Sequence, residues 1–319
     1  MSNILFNNSQ IKKKFYFQLF FFIILSLLLI LFQSTIETYY DNLYLLCFIL
    51  IATIGISHGA LDHIKGKFIT NKIFKNKSLF LFYFLYILFA LLVLFCWVKF
   101  SFLSLIIFFI ISSFHFGQED VSFFINKQST LDNIFYFMRG FVVISSSFYF
   151  NQEETQSFIK ILIFEDADSF IMKMNWFYFF WLNIIILFLC IFFYFLQKKV
   201  NWECFLVMNL ELICIVLMFY FLPLFVAFTM YFCLMHSTKH ILSLSYELNN
   251  KNINLGLKQF AVSALPLTII TFAIALLMLV YLKNEFSIDK SIIKITFVGL
   301  ASLTLPHIIL NEIYDKYKK

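Results

Sequence analysis

Charge is scarce in this chain. Only 13% of its 319 residues are Asp, Glu, Lys or Arg, where a soluble domain carries about 25%. Glycine and proline are scarcer still, at 7 and 3 residues. No soluble domain, low-complexity linker or internal repeat is recognisable. The six cysteines, Cys47, Cys96, Cys190, Cys204, Cys214 and Cys233, lie in or beside apolar runs and form no CxxC pair. They read as small buried hydrophobes, which excludes a disulfide framework. A net charge of +6, with the lysines in loops, argues against nucleic acid as a partner.

What is present instead is apolar length. The chain is 62% hydrophobic, with several uncharged stretches longer than the roughly 17 residues that cross a bilayer core. These runs are continuous rather than alternating, which excludes a β-barrel. The first is too long for a signal peptide and lacks a small-residue cleavage site, so it reads as a membrane helix. Phe is extreme at 48 residues; with abundant Ile, Lys, Asn and Tyr this reflects an AT-rich genome and does not by itself argue a pocket. The expected fold is all-α: one integral-membrane domain over 1–319, a polytopic bundle of about ten spans (eight to ten). Expected spans are 16–33, 43–63, 79–98, 101–118, 134–150, 176–197, 203–222, 224–245, 260–282 and 292–311.

The seventh and eighth of these form one apolar stretch broken at Pro223, which is either a kink or a tight turn. Charge decides. Ten spans with the N-terminus inside place most of the basic residues in the cytoplasm, among them Lys12 to Lys14, the Lys65–Lys77 loop, Lys127, Arg139, Lys239, Lys251, Lys258 and the tail. The outer loops are then acidic: Glu37, Asp41, Glu153, Glu154, Glu165, Asp166 and Asp168. Merging the two spans would put Lys251, Lys258 and the tail outside, so the positive-inside rule predicts a turn.

Four polar motifs hold all six histidines: SHGALDH (His58, His63), FHFGQED (His115), MHSTKH (His236, His240) and LPHIILNE (His307). They end the second, fourth, eighth and tenth spans. Each of those spans runs toward the cytoplasm, so all six histidines come to one face. The span count was set by lysines, which makes the agreement independent. One histidine at a helix end is usually a satisfied interfacial residue. Six on one face mark a functional site.

Spacing sorts them. His236 and His240, at i and i+4, share a face and suit one metal. His58 and His63 lie about 140° apart around a helix, so His63 is expected not to share a metal with His58, whereas Asp62 shares its face. Imidazole-rich sites suit Fe, Zn, Cu or Ni, and a ligating imidazole donates its other N–H to a carboxylate or carbonyl. Candidate acceptors are Asp62, Glu119, Asp120 and Glu312, each four or five residues after a histidine. Glu211, inside the seventh span, is a candidate partner for His236 or His240, or else a protonated Glu bonded to a neighbouring helix. Gly55 and Gly59 form a GxxxG pair that permits close packing, and Pro306 kinks the helix ahead of His307.

HGALDH, FHFGQED, YFCLMHSTKH and LTLPHIILNE together resemble the Brp/Blh family of bacterial and archaeal membrane β-carotene 15,15′-dioxygenases, over about residues 50–313. The resemblance implies an iron(II) enzyme that uses O2 to split the central double bond of β-carotene into two retinals. Carried over by motif, the iron ligands are His58, His115, His236 and His240. His307 falls near the site rather than among the ligands, and Asp62, Asp120, Glu211 and Glu312 are candidate acidic partners. An iron held by four histidines and no carboxylate stays dicationic and leaves positions free for O2. The resemblance further implies residence in the cytoplasmic (inner) membrane, substrate drawn from the bilayer lipid, and retinal passed to a microbial rhodopsin. Residues 1–40 fall outside it and read as an extra N-terminal helix. Two rivals remain. A membrane di-iron oxygenase of the desaturase or carotenoid hydroxylase type needs more histidines and HxxHH boxes. A metal or proton transporter needs polar residues across the whole membrane depth.

Overall fold

The computed structural model describes residues 4–74, 79–125, 130–163, 171 and 173–318. Lys75, Lys77, Lys127, Glu165, Asp166, Asp168 and Lys319, used above to assign the faces, lie outside the described residues, as do the side chains of His58 and Asp41. Every described element is helical: α1 (Ile4–Asn7), α2 (Ser9–Leu31), α3 (Gln33–Thr38), α4 (Tyr40–Leu50), α5 (Asp62–Phe74), α6 (Leu79–Lys99), α7 (Ser101–Ser122), α8 (Thr130–Phe150), α9 (Gln152–Leu162), α10 (Trp176–Leu196), α11 (Trp202–Phe221), α12 (Leu224–Thr229), α13 (Thr238–Leu248), α14 (Ile253–Leu282) and α15 (Ile288–Lys318). Eight helices among the described residues are long and apolar enough to cross a membrane. The two expected spans outside that set are α8, which carries Asp132 and Arg139, and the segment from α12 to α13, which is broken into shorter pieces. The fold is an all-α polytopic bundle.

The chain reverses at Pro223. Leu222 and Pro223 are extended, with ψ of 150° and 146°, so α11 ends and α12 starts afresh. Helix α2 serves as a ruler. Lys12 meets Glu203, Ser26 meets Met218, and Gln18 bonds the Leu234 carbonyl. The chain therefore climbs along α2 to residue 218 and has descended again by residue 234, back toward the lysine-rich end. Glu154 secures the turn by accepting the Leu224 N–H at 2.7 Å while Tyr40 donates to its carboxylate. An anion at a helix N-terminus is favourable, so Glu154 is a cap as well as a loop charge. Lys65 and Lys72 of α5 bond Asn311 and the Tyr317 carbonyl of α15, which sets these two helices parallel.

Two stretches are wound as π-helix, Ile51–Gly55 and Met230–Ser237, each just before or within a histidine motif. Such wide turns cluster at functional sites. They face one another: the Ser237 hydroxyl bonds the Gly55 carbonyl at 3.2 Å, and a Cβ on Gly55 would lie 2.5 Å from Phe232. Gly59, by contrast, has room for a side chain, so only half of the GxxxG pair is a close contact. The tightest helix crossing is between α7 and α8. A Cβ on Gly117 would lie 1.7 Å from the Tyr136 carbonyl oxygen, and one on Gly140 1.8 Å from that of Ser113. This crossing brings the His115 helix onto the Arg139 helix.

Outward faces are apolar, as a lipid solvent requires. Phe80, Phe84, Ile87, Leu91 and Phe95 of α6 and Val262, Leu265, Ile269 and Leu277 of α14 are all exposed. Only 6% of each of these spans' most apolar window is buried, against 50% for α11, so α6 and α14 are the peripheral helices. Both pack on α15, with no extensive packing against each other.

Candidate functional site

Four imidazoles meet where α7, the second π-helix, α13 and α15 converge. His115 lies 5.4 Å from His236 and 5.3 Å from His307 between ring centroids, and His240 lies 5.8 Å from His307. All four are at most 5% exposed. Two adjacent carboxylates of α7 stand behind two of them. Glu119 sits 2.6 Å from His240 Nδ1, and Asp120 sits 3.6 Å from His236 Nδ1. An ionised carboxylate only accepts, so His240 Nδ1 carries the proton and its Nε2 the lone pair. Tyr231 donates to the other Asp120 oxygen at 3.2 Å.

His307 is held differently. Lys65 Nζ donates to Asn311 Oδ1 at 2.7 Å, which turns the Asn311 amide N–H toward His307 Nε2 at 2.9 Å. That nitrogen must therefore accept, and His307 Nδ1–H donates to both Asp62 oxygens at 2.8 Å. Tyr86 donates to Asp62 at 2.9 Å. A polar chain thus runs Lys65, Asn311, His307, Asp62, Tyr86 across α5, α15 and α6. Both nitrogens of His307 are engaged in it, which places this residue beside the other rings as a positioning group.

Among the described side chains, Glu211 bonds no histidine. It accepts from Arg139 Nη2 at 3.0 Å and sits 2.7 Å from Lys239 Nζ. Arg139 Nε in turn lies 3.7 Å from Asp120. All four groups are at most 3% exposed. Two cations and two anions thus form a buried, charge-balanced cluster whose Asp120 touches His236. Arg139 and Lys239 were counted above as cytoplasmic charges. They are interior residues instead, because their partners lie inside the bundle. Lys239 could have been suspected from its place between two motif histidines. Arg139 carried no signal beyond being a charge in an apolar segment.

Glu312 is exposed, and among the described residues it is the neighbouring Asn311 that bonds His307. Asp62, expected as a neighbour of His58, is engaged by His307 and Tyr86. His63 Nδ1 donates to the Ala60 carbonyl at 2.9 Å, bonding within its own turn. His58 opens the single 3₁₀ turn His58–Leu61, and its side chain is outside the described ones. Among the described residues, no group of three or more His, Cys, Asp or Glu side chains is arranged to hold a metal ion.

Two of the four rings, those of His115 and His307, border an apolar cavity of ≈ 300 Å³. His115, His307, His63 and Asp62 form its polar wall, with Tyr86, Phe108, Phe116 and Phe232 beside them and Ile270, Thr271 and Ile274 of α14 opposite. Its lateral walls are therefore the peripheral helices α6 and α14.

Fold and site together define a polytopic membrane protein with a buried histidine and carboxylate cluster opening on an apolar chamber within reach of lipid. The chain belongs to the β-carotene 15,15′-dioxygenase family: the family model described as "Beta-carotene 15,15'-dioxygenase" matches residues 49–315. No curated protein and no solved structure matches it.

Proposed function

We propose that this chain cleaves the central double bond of β-carotene to two retinals with iron(II) and O2, in a cytoplasmic membrane. The observation that carries the proposal, beyond family membership, is the convergence of His115, His236, His240 and His307, of which His115 and His307 line an apolar cavity behind the lipid-facing helices. The donor set fits a metal in kind. Imidazoles with carboxylates at Nδ1 are how ligating histidines are oriented, and Glu119 and Asp120 supply that orientation to His240 and His236. His58, His115, His236 and His240 would hold the ion, and His307 would stand beside it. Iron supplies, when bound, the redox chemistry that O2 needs.

The rest is work for the protein's own residues. β-Carotene is a hydrocarbon dissolved in the bilayer, and passage between α6 and α14 would admit it without entry into water. Phe108, Phe116 and Phe232 would hold the polyene by apolar and aromatic contact, and orientation against the histidine wall would select the bond. The Asp62–His307–Asn311 chain would keep His307 fixed, with its Nδ1 proton committed to Asp62. The buried Arg139, Lys239, Glu211 and Asp120 cluster would hold the π-helix bearing His236 against α7. Retinal would leave by the same lipid route to a retinal-binding membrane protein.

The test is expression in cells that accumulate β-carotene, with iron supplied. Bleaching and extractable retinal are expected. Retained colour with the protein present in the membrane would refute the proposal.

A further inference from the structure

The chamber beside the histidines does not end there. It shares Ile56, Thr271, Ile274, Leu300 and Leu303 with a second, larger apolar cavity of ≈ 570 Å³. Helices α6, α14 and α15 wall both. On α6 the first cavity is lined between Phe82 and Ile87, and the second between Leu94 and Val98. On α15 the second begins at Lys294 and the first ends at His307. The two cavities therefore lie in line along membrane-crossing helices, over about 20 Å of α15 at about 1.5 Å per residue.

Packing accounts for five of the chain's seven glycines. A Cβ on Gly55, Gly66, Gly117, Gly140 or Gly256 would lie 2.5 Å or less from another atom. The two that remain, Gly59 and Gly299, line the first and the second cavity respectively. At Gly299 nothing lies within 4 Å of where a Cβ would stand. Ile295 and Leu303, one turn before and one turn after it, line the same cavity, so a side chain at this position would enter it. The missing side chain thus keeps space open there. Gly299 precedes His307 by eight residues on α15, about 12 Å of helix. A C40 polyene with its central bond at the histidines would carry its terminal ring roughly 15 Å away, by ordinary carbon–carbon bond lengths. Gly299 therefore stands alongside that half of the chain, just short of its ring.

We propose that Gly299 determines the length of substrate this chain accepts: its missing side chain keeps the second cavity open to one half of a C40 polyene lying along the membrane-crossing helices. The inference rests on the carotenoid reading above. The test is binding, read without O2 so that no cleavage intervenes. Purified protein in detergent is titrated with β-carotene and with a ring-bearing polyene alcohol of half its length, and the induced circular dichroism of the polyene band gives each affinity. Gly299→Phe is expected to lower the affinity for β-carotene about tenfold or more, the effect of bulk in an apolar pocket. The affinity for the half-length polyene is expected to be unchanged, because the first cavity stays open to it. Gly299→Leu is expected to give a smaller loss of the same selectivity, and it keeps the test decisive should the Phe variant fail to fold. Unchanged β-carotene affinity in both variants, equal losses for the two polyenes, or no binding of either by the wild type would overturn the assignment. Retinal formation from β-carotene by the wild type in air is scored separately. A protein that shows this selectivity without cleaving would refute the enzyme reading and leave the role of Gly299 standing.

Discussion

Charge-neutral removal of the buried Glu211–Lys239 pair is expected to cost less than removal of either partner. Lys239 Nζ lies 2.7 Å from Glu211, Arg139 Nη2 lies 3.0 Å from it, and all are at most 3% exposed. At an effective dielectric constant near 20, a contact of that length is worth about 6 kcal/mol of Coulomb energy. Glu211→Leu leaves two cations facing Asp120 alone, and Lys239→Leu leaves two anions facing Arg139 alone. Breaking a buried pair from one side costs about 3–5 kcal/mol, whereas replacing both partners by apolar groups is often close to neutral. The double variant is therefore expected to recover at least about 2 kcal/mol of the summed single losses. The assay is thermal or denaturant unfolding in detergent for the wild type, both singles and the double. Strict additivity would refute the reasoning, because it would mean that the charges are solvated and do not act on one another.

Four further outcomes follow from the site. Glu119→Gln removes the carboxylate behind His240 Nδ1 and is expected to weaken iron retention about 10- to 100-fold, measured by metal analysis after competitive chelation. Tyr86→Phe removes one donor to Asp62 and should lower retinal formation less than Asp62→Asn, which disturbs His307 directly; equal losses would contradict the order of that chain. Gly140→Ala places a Cβ 1.8 Å from the Ser113 carbonyl, and overpacking of that kind costs about 1–3 kcal/mol, so a lowered melting temperature is expected. His63→Ala is expected to keep most of the cleavage activity, since its ring bonds within its own turn; a loss as severe as that of His58→Ala would reverse this assignment.

Much of this architecture could be read along the chain because lipid imposes simple rules. Uncharged length located the helices, and lysine distribution predicted the reversal at Pro223 that the contacts along α2 display. The same rule misled where charges are interior. Arg139 and Lys239 look like loop cations in a hydropathy scan, and only three-dimensional packing reveals that Glu211 and Asp120 neutralise them. Helical periodicity put Asp62 on the face of His58, and the bonds from His307 and Tyr86 to Asp62 were not legible because they come from distant helices. On the regular helix α15, Asn311 stands four residues after His307 and shares its face, whereas Glu312, five residues on, points outward. Spacing after His115 marked Glu119 and Asp120 as candidate acceptors, but the histidines they meet, His240 and His236, come from other elements and only packing brings them together.

The most direct measurement is retinal formation by the purified protein, stripped of metal by a chelator and then resupplied with iron(II) in the presence and absence of O2. Two retinals per β-carotene consumed are expected only when iron(II) and O2 are both present, with the activity lost in His115→Ala and His236→Ala. Undiminished cleavage by the stripped protein, or no retinal from protein loaded with iron in air, would contradict the assignment of the histidine wall as the site of cleavage.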